Sequence, residues 1–140
     1  MLNFDSKILH IHLDAAATTA SGELSFYKGV PVVKNNNGIK MSFGVIFLSN
    51  DAFDYNLNHE RGHNTQLMML GPVKYGLGIG APSLTTNLNY KGDYYHSFPW
   101  ERTAEMFGGV NNRLIKGQPA VYKNGSKVYS VLYLIALLLA

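Results

Sequence analysis

The stretch FDYNLNHERGHNTQLMMLGP, residues 53–72, decides the fold. Its pattern is helical: Tyr55, His59, His63, Gln66 and Leu70 fall on or near one stripe of a 3.6-residue period. Leu57, Thr65, Met68 and Met69 supply contacts on other faces. Ser49-Asn50-Asp51 can cap the helix, and Gly71-Pro72 is the expected stop. Inside it, His59-Glu60-Arg61-Gly62-His63 has the form H-E-x-x-H. Side chains four apart stack on one face, so both imidazoles can reach one metal ion. Glu60, one residue after His59, turns toward the same cleft, where it can act on a metal-bound water. So short a motif arises by chance in a chain of this length with a probability on the order of one in a few hundred. Its surroundings must therefore make it a site.

Working outward, residues 24–33 are rich in β-branched and aromatic side chains and read as extended, with Pro31 suggesting an edge strand. Asn35-Asn36-Asn37-Gly38 is a turn signal, and residues 39–48 read as a second strand with Ile46 and Leu48 on one side. The two segments are expected to form a hairpin. Beyond the helix, residues 76–86 read as a Gly-, Pro- and Ser-containing loop. Pro99 is placed to open a second helix that runs to Phe107 and stops at Gly108-Gly109. Asn124-Gly125 marks a second hairpin over residues 121–128. The predicted class is α+β: hairpins packed on the H-E-x-x-H helix and on a second, glutamate-bearing helix. Residues 1–23 read as an N-terminal arm, 24–127 as the domain and 128–140 as an apolar segment.

The chain has 140 residues, enough for one domain with a modest core. With 46% hydrophobic and 15% charged residues it is not a disordered chain. The net charge of +3 comes from scattered residues, which argues against a nucleic-acid partner. Cysteine is absent, so disulfides and thiolate metal sites are excluded and the compartment is left open. No signal peptide is visible at the N-terminus. The 13 apolar residues of 128–140 are fewer than the roughly 17–25 a membrane span needs. They read as a buried final element or as the start of a span in a longer polypeptide, so membrane association through them is open.

Two histidines do not complete a catalytic zinc site, which takes three protein ligands and keeps one position open. The other histidines are His10, His12 and His96; His10 and His12 alternate along an extended segment and receive no role. Glu101 is the leading third ligand. It lies in the first turn of the second helix, with Glu105 on the same face four residues later. Ala104 is small enough to let the two helices approach. Glu105 would then accept a hydrogen bond from a ligating imidazole and fix its tautomer. The reverse assignment of Glu101 and Glu105 stays open, as does His96 as third ligand. His96, Tyr94 and Tyr95 are also candidate hydrogen-bond donors to a transition state.

Residues 58–66, Asn-His-Glu-Arg-Gly-His-Asn-Thr-Gln, resemble the HEYGH-x-x-Q segment of predicted zincin-like metallopeptidase domains. Those domains occur at the C-termini of bacterial RHS-repeat and polymorphic-toxin proteins and in small stand-alone relatives. Residues 26–32 and 42–48 resemble the strands before that segment, and 70–72 and 78–83 the loop after it. Pro99-Trp100-Glu101-Arg102-Thr103-Ala104-Glu105, followed by Gly108-Gly109-Val110, resembles the family's PWE-x-x-AD…GGV segment. The likeness spans about residues 24–113. Arg61 departs from the usual aromatic and Glu105 from the usual Asp.

The resemblance implies zinc held by His59, His63 and Glu101, with Glu60 as general base. It implies a zinc peptidase acting on a protein or peptide, of bacterial origin and associated with secreted effectors or toxins. A toxin acting on one specific protein target is the alternative within that chemistry. A non-catalytic, zinc-stabilised binding module is the alternative outside it.

Overall fold

A computed structural model of the protein describes residues 20–36, 38, 40–90, 93–111, 113–115, 118–119 and 126–140. The architecture is α+β. Strands β1 (Ala20–Tyr27), β2 (Val30–Asn35), β3 (Met41–Ser42) and β4 (Ile46–Ser49) form one sheet in the order β1-β2-β4-β3. The kinked helix α1 (Asp54–Tyr75) follows, then a π-helical turn (Gly76–Gly80) and α2 (Ala81–Asn89). The short α3 (Asp93–His96) leads into α4 (Pro99–Gly108). The two-stranded β5 (Leu114–Ile115) and β6 (Gln118–Pro119) and the helix α5 (Ser126–Leu139) complete the described chain.

The expected hairpin between residues 24–33 and 39–48 is not what forms. The first segment itself folds back at Lys28-Gly29, where both residues have positive φ (49° and 82°), and β1 and β2 pair antiparallel. Positive φ at both central residues is what a tight two-residue hairpin turn requires. The second segment is broken at Gly44 (φ 80°) into β3 and β4. β4 then pairs parallel to β2, with Val32 opposite Ile46 and Lys34 opposite Leu48. Parallel strands cannot be joined by a tight hairpin turn, so β2 and β4 are not hairpin partners; Asn37, in the turn expected at Asn35-Asn36-Asn37-Gly38, lies outside the described residues. β2 is internal rather than an edge. Pro31 is tolerated there because the ladder to β4 begins one residue later, at Val32.

Ile46 and Leu48 do share a buried side, and with Val32 they form one small apolar core, flanked by Tyr27, Val30, Ala52 and Leu57. A second cluster joins Leu70, Tyr75 and Ile79 to Leu134 of α5, with Trp100, Phe107 and Tyr133 packed around it. Tyr75 donates its hydroxyl to the Ser42 carbonyl (3.2 Å), and Gly44 N–H donates to Asn64 Oδ1 (2.7 Å). These bonds tie α1 to the β3–β4 edge.

α1 starts at Asp54, later than the Ser49-Asn50-Asp51 signal. Asn56 Oδ1 accepts the Phe53 N–H (3.1 Å). Gly71-Pro72 does not end the helical path. Gly71 leaves helical geometry (φ 73°, ψ 166°), and Pro72 opens a second helical run on a new axis. The expected loop at 76–86 is that run's continuation through the π-turn into α2. The arm expected at 1–23 gives way to β1 from Ala20; the earlier part, with His10 and His12, lies outside the described residues. Of the hairpin expected at 121–128, residues 121–125 lie outside the described residues and 126–128 begin α5.

The apolar segment expected at 128–140 as a buried final element or the start of a span lies, up to Leu139, in α5, which is buried on one face only. α5 is a 14-residue helix, and no described helix is long and apolar enough to cross a membrane. Ser130 and Leu134 are buried and Tyr133 donates to the Gly78 carbonyl (2.6 Å), whereas Val128, Tyr129, Val131, Leu132, Ile135 and Leu139 are exposed.

Candidate metal centre

The site lies in the seam between α1 and α4, which run almost backbone to backbone. A Cβ built on Gly62 would sit 1.8 Å from the Ala104 carbonyl oxygen, and one on Gly108 would sit 2.1 Å from that of Asn58. Glycine at these two positions, with Ala104 opposite, permits the approach. Pro99 opens α4 and Gly109 (φ 73°) closes it, as the sequence predicts. Arg61 crosses the seam and donates from Nη2 to the Phe107 carbonyl (3.2 Å).

This closeness turns the glutamates of α4 onto the histidines of α1. Glu101 is fully buried, and its Oε2 lies 3.0 Å from His59 Nε2 and 3.4 Å from His63 Nε2. His59, Glu60 and His63 are buried as well. The two imidazole rings meet edge-on, with centroids 4.7 Å apart. Despite the short distances, neither Glu101 oxygen has a hydrogen-bond partner among the described residues. The ring nitrogens crowd the carboxylate without aiming a proton at it. Four ligands held about 2.0–2.1 Å from a zinc ion at the corners of a tetrahedron lie about 3.3–3.4 Å apart. The nitrogen–oxygen distances here bracket that edge. The donor set, imidazole and carboxylate without thiolate, also suits zinc. By donor type and by these two distances the residues suit the metal.

Glu101 and Glu105 stand near different nitrogens of the imidazoles: Glu101 near the Nε2 atoms, Glu105 near Nδ1 atoms. Glu105 is also fully buried but stands behind the imidazoles. Its Oε1 is 3.7 Å from His59 Nδ1 and 3.6 Å from His96 Nδ1. It is not hydrogen-bonded to His59, contrary to expectation. Arg113 Nε donates to Oε1 and Arg102 Nη1 to Oε2 (3.3 Å), so two guanidiniums claim the carboxylate. The ring whose Nδ1 does meet a hydrogen-bond partner is that of His63. Its Nδ1 lies 2.7 Å from Gln66 Oε1, and the Gln66 amide donates to the Trp100 carbonyl (2.8 Å) and to Thr103 Oγ1 (2.5 Å). Gln66 was readable on the stripe of α1 but has a role the spacing did not reveal. Arg113 gave no local signal at all.

His96 reaches the site: one ligand atom each from His59, His96 and Glu101 lie within 4.8 Å of one another. Tyr95 packs beside Glu101 with its hydroxyl 3.1 Å from Ser83 Oγ. Tyr94 does not join; it is exposed and packs against Tyr90 and Phe98.

The electrostatics follow from burying these groups together. Burial alone would discharge Glu101, but the positive charge of His63 and His59 outweighs it and holds the carboxyl well below its usual range. Burial likewise opposes charge on His63, yet the Glu101 carboxylate lifts it to about 9. Glu60 is raised, chiefly by burial, with His59 and His63 opposing. His96 is pushed down to about 2 by burial, the Arg113 guanidinium and His59. Burial raises the Tyr95 hydroxyl well above the usual phenol range, and the Glu101 charge adds to this.

No protein-family model matches the chain, and no curated protein or solved structure matches it either. The family resemblance therefore rests on the motifs that carry it, and the site on its own geometry.

Proposed function

We propose that the protein is a zinc-dependent peptidase, with His59, His63 and Glu101 as metal ligands and Glu60 as general base. The observation that carries this reading is the position of Glu101 Oε2, 3.0 and 3.4 Å from the two Nε2 atoms. The sequence likeness to zincin-like domains points the same way. Zinc bound there would polarise a peptide carbonyl and acidify a water.

The chain's own residues supply the rest. Glu60 is carried on the same helical turn as His59 and is buried, with Oε2 lacking a hydrogen-bond partner among the described residues. Burial raises its proton affinity, which suits a base that must take a proton from water. Glu60 accepts that proton and returns it to the leaving amine. Gln66 holds the His63 ring, and the Arg102–Glu105–Arg113 cluster stands behind His59 and His96.

Metal content and cleavage of an unfolded protein substrate, measured on wild type and Glu60→Gln, test the reading. One zinc per chain in both, with cleavage about 10²–10⁴-fold slower in the variant, is expected. Equal cleavage by both forms, or none by wild type carrying zinc, would sink the peptidase assignment.

A further inference from the structure

We propose that His96 is a fourth protein ligand, so that the resting zinc site is closed. The inference builds on the zinc reading of His59, His63 and Glu101 given above. His96 ends α3, only three residues before Pro99 opens α4, so the segment that delivers Glu101 also delivers His96. Its ring meets that of His59 edge-on, with centroids 5.5 Å apart and planes at 87°. The ligand atoms of His59, His96 and Glu101 lie within 4.8 Å of one another, and His63 Nε2 lies 3.4 Å from Glu101 Oε2.

The surroundings of His96 match those of a ligand. A ligating imidazole commonly presents its other ring nitrogen to a carboxylate, which fixes the tautomer and the ring direction. Glu105 Oε1 stands 3.7 Å from His59 Nδ1 and 3.6 Å from His96 Nδ1. One buried carboxylate, held by Arg102 and Arg113, thus backs both rings on the same edge and leaves Nε2 of each to ligate. Both Glu101 oxygens, on the side of the rings opposite Glu105, are buried without a hydrogen-bond partner among the described residues. Such atoms are costly unless a further group meets them.

Three imidazoles and one carboxylate would supply the four protein ligands that structural zinc sites use. A catalytic position then opens only when His96 leaves or the coordination expands. His96 is the ligand best placed to move. It sits on a four-residue helix, whereas His59, His63 and Glu101 sit inside long ones.

Zinc K-edge X-ray absorption on the full chain, wild type and His96→Ala, counts the imidazoles directly, and chelator competition gives the affinity. Three imidazoles per zinc in wild type and two in the variant are expected, with affinity lower by about tenfold or more. Two imidazoles in wild type overturn the proposal whether or not the variant folds, and so does unchanged affinity in a folded variant. A wild-type chain that binds no zinc would instead remove the underlying metal reading, and this proposal with it.

Discussion

Two regions of this molecule invert the usual rule for what is buried. The seam between α1 and α4 encloses His59, Glu60, His63, Gln66, Glu101 and Glu105, all buried. The outer face of α5 presents Val128, Tyr129, Val131, Leu132, Ile135 and Leu139 to solvent. The two inversions differ in cost. Exposed apolar side chains are common and cheap to the folded chain. Buried ionisable groups cost several kcal/mol each unless paired, and replacing such a set by hydrocarbon is often stabilising. The seam is thus held together at some expense, by glycines that let backbones touch and by an arginine pair around Glu105. An expensive polar interior that leaves carboxylate oxygens unpartnered has the form of a binding site rather than of a core.

The largest effect is expected where the seam is tightest. Gly62→Ala drives a methyl group into the Ala104 carbonyl, which is backbone and cannot swing aside. Helix separation should cost about 3 kcal/mol or more and remove zinc binding together with stability. An unchanged melting temperature would show that the contact is not tight. Next comes the ordinary core. Leu48→Ala, in the sheet cluster, should cost about 2–5 kcal/mol, while the chains that remain folded keep one zinc each. Loss of zinc from folded Leu48→Ala protein would erase the distinction between core and site.

A third effect is pH-dependent. In the metal-free protein His63 is raised to about 9 by Glu101, above the unfolded value near 6.5. The stabilisation from this pair is therefore complete below about pH 6.5 and is lost as pH rises through about 9. Zinc needs the neutral ring, so its affinity should rise about tenfold per pH unit up to about pH 9, with a proton released on binding. Zinc titrations at several pH values would check this, and a flat profile would contradict it. The smallest effect belongs to α5. Leu132→Gln should change the melting free energy by no more than about 0.5 kcal/mol and leave zinc binding untouched.

The two helices of the seam were legible because their signals are local. The stripe of α1, the opening Pro99, the closing Gly109 and the Glu101–Glu105 pair are all encoded within a few residues, and Ala104 announces a close approach. The second half of that approach was hidden. Gly62 reads as a free position of the motif and Gly108 as a helix stop, although both are contact residues. Arg113 was invisible because it meets Glu105 only after the chain has left α4 at Gly109. The sheet was misread for a related reason. Asn35-Asn36-Asn37-Gly38 is a stronger turn signal than Lys28-Gly29, but the parallel pairing of β2 with β4 depends on a crossover that no local pattern records. The apolar run at the C-terminus was plain, while its division into a packed and a bare face depends on where α4 lies.

That α1 and α4 share one metal ion through Glu101 is tested most directly by the zinc content of purified wild type and Glu101→Gln. The substitution keeps the side chain's size in a fully buried position, and circular dichroism confirms that the variant is folded. One zinc per wild-type chain and well under one in the folded variant is the expected result; equal zinc in both, or none in wild type, would contradict it.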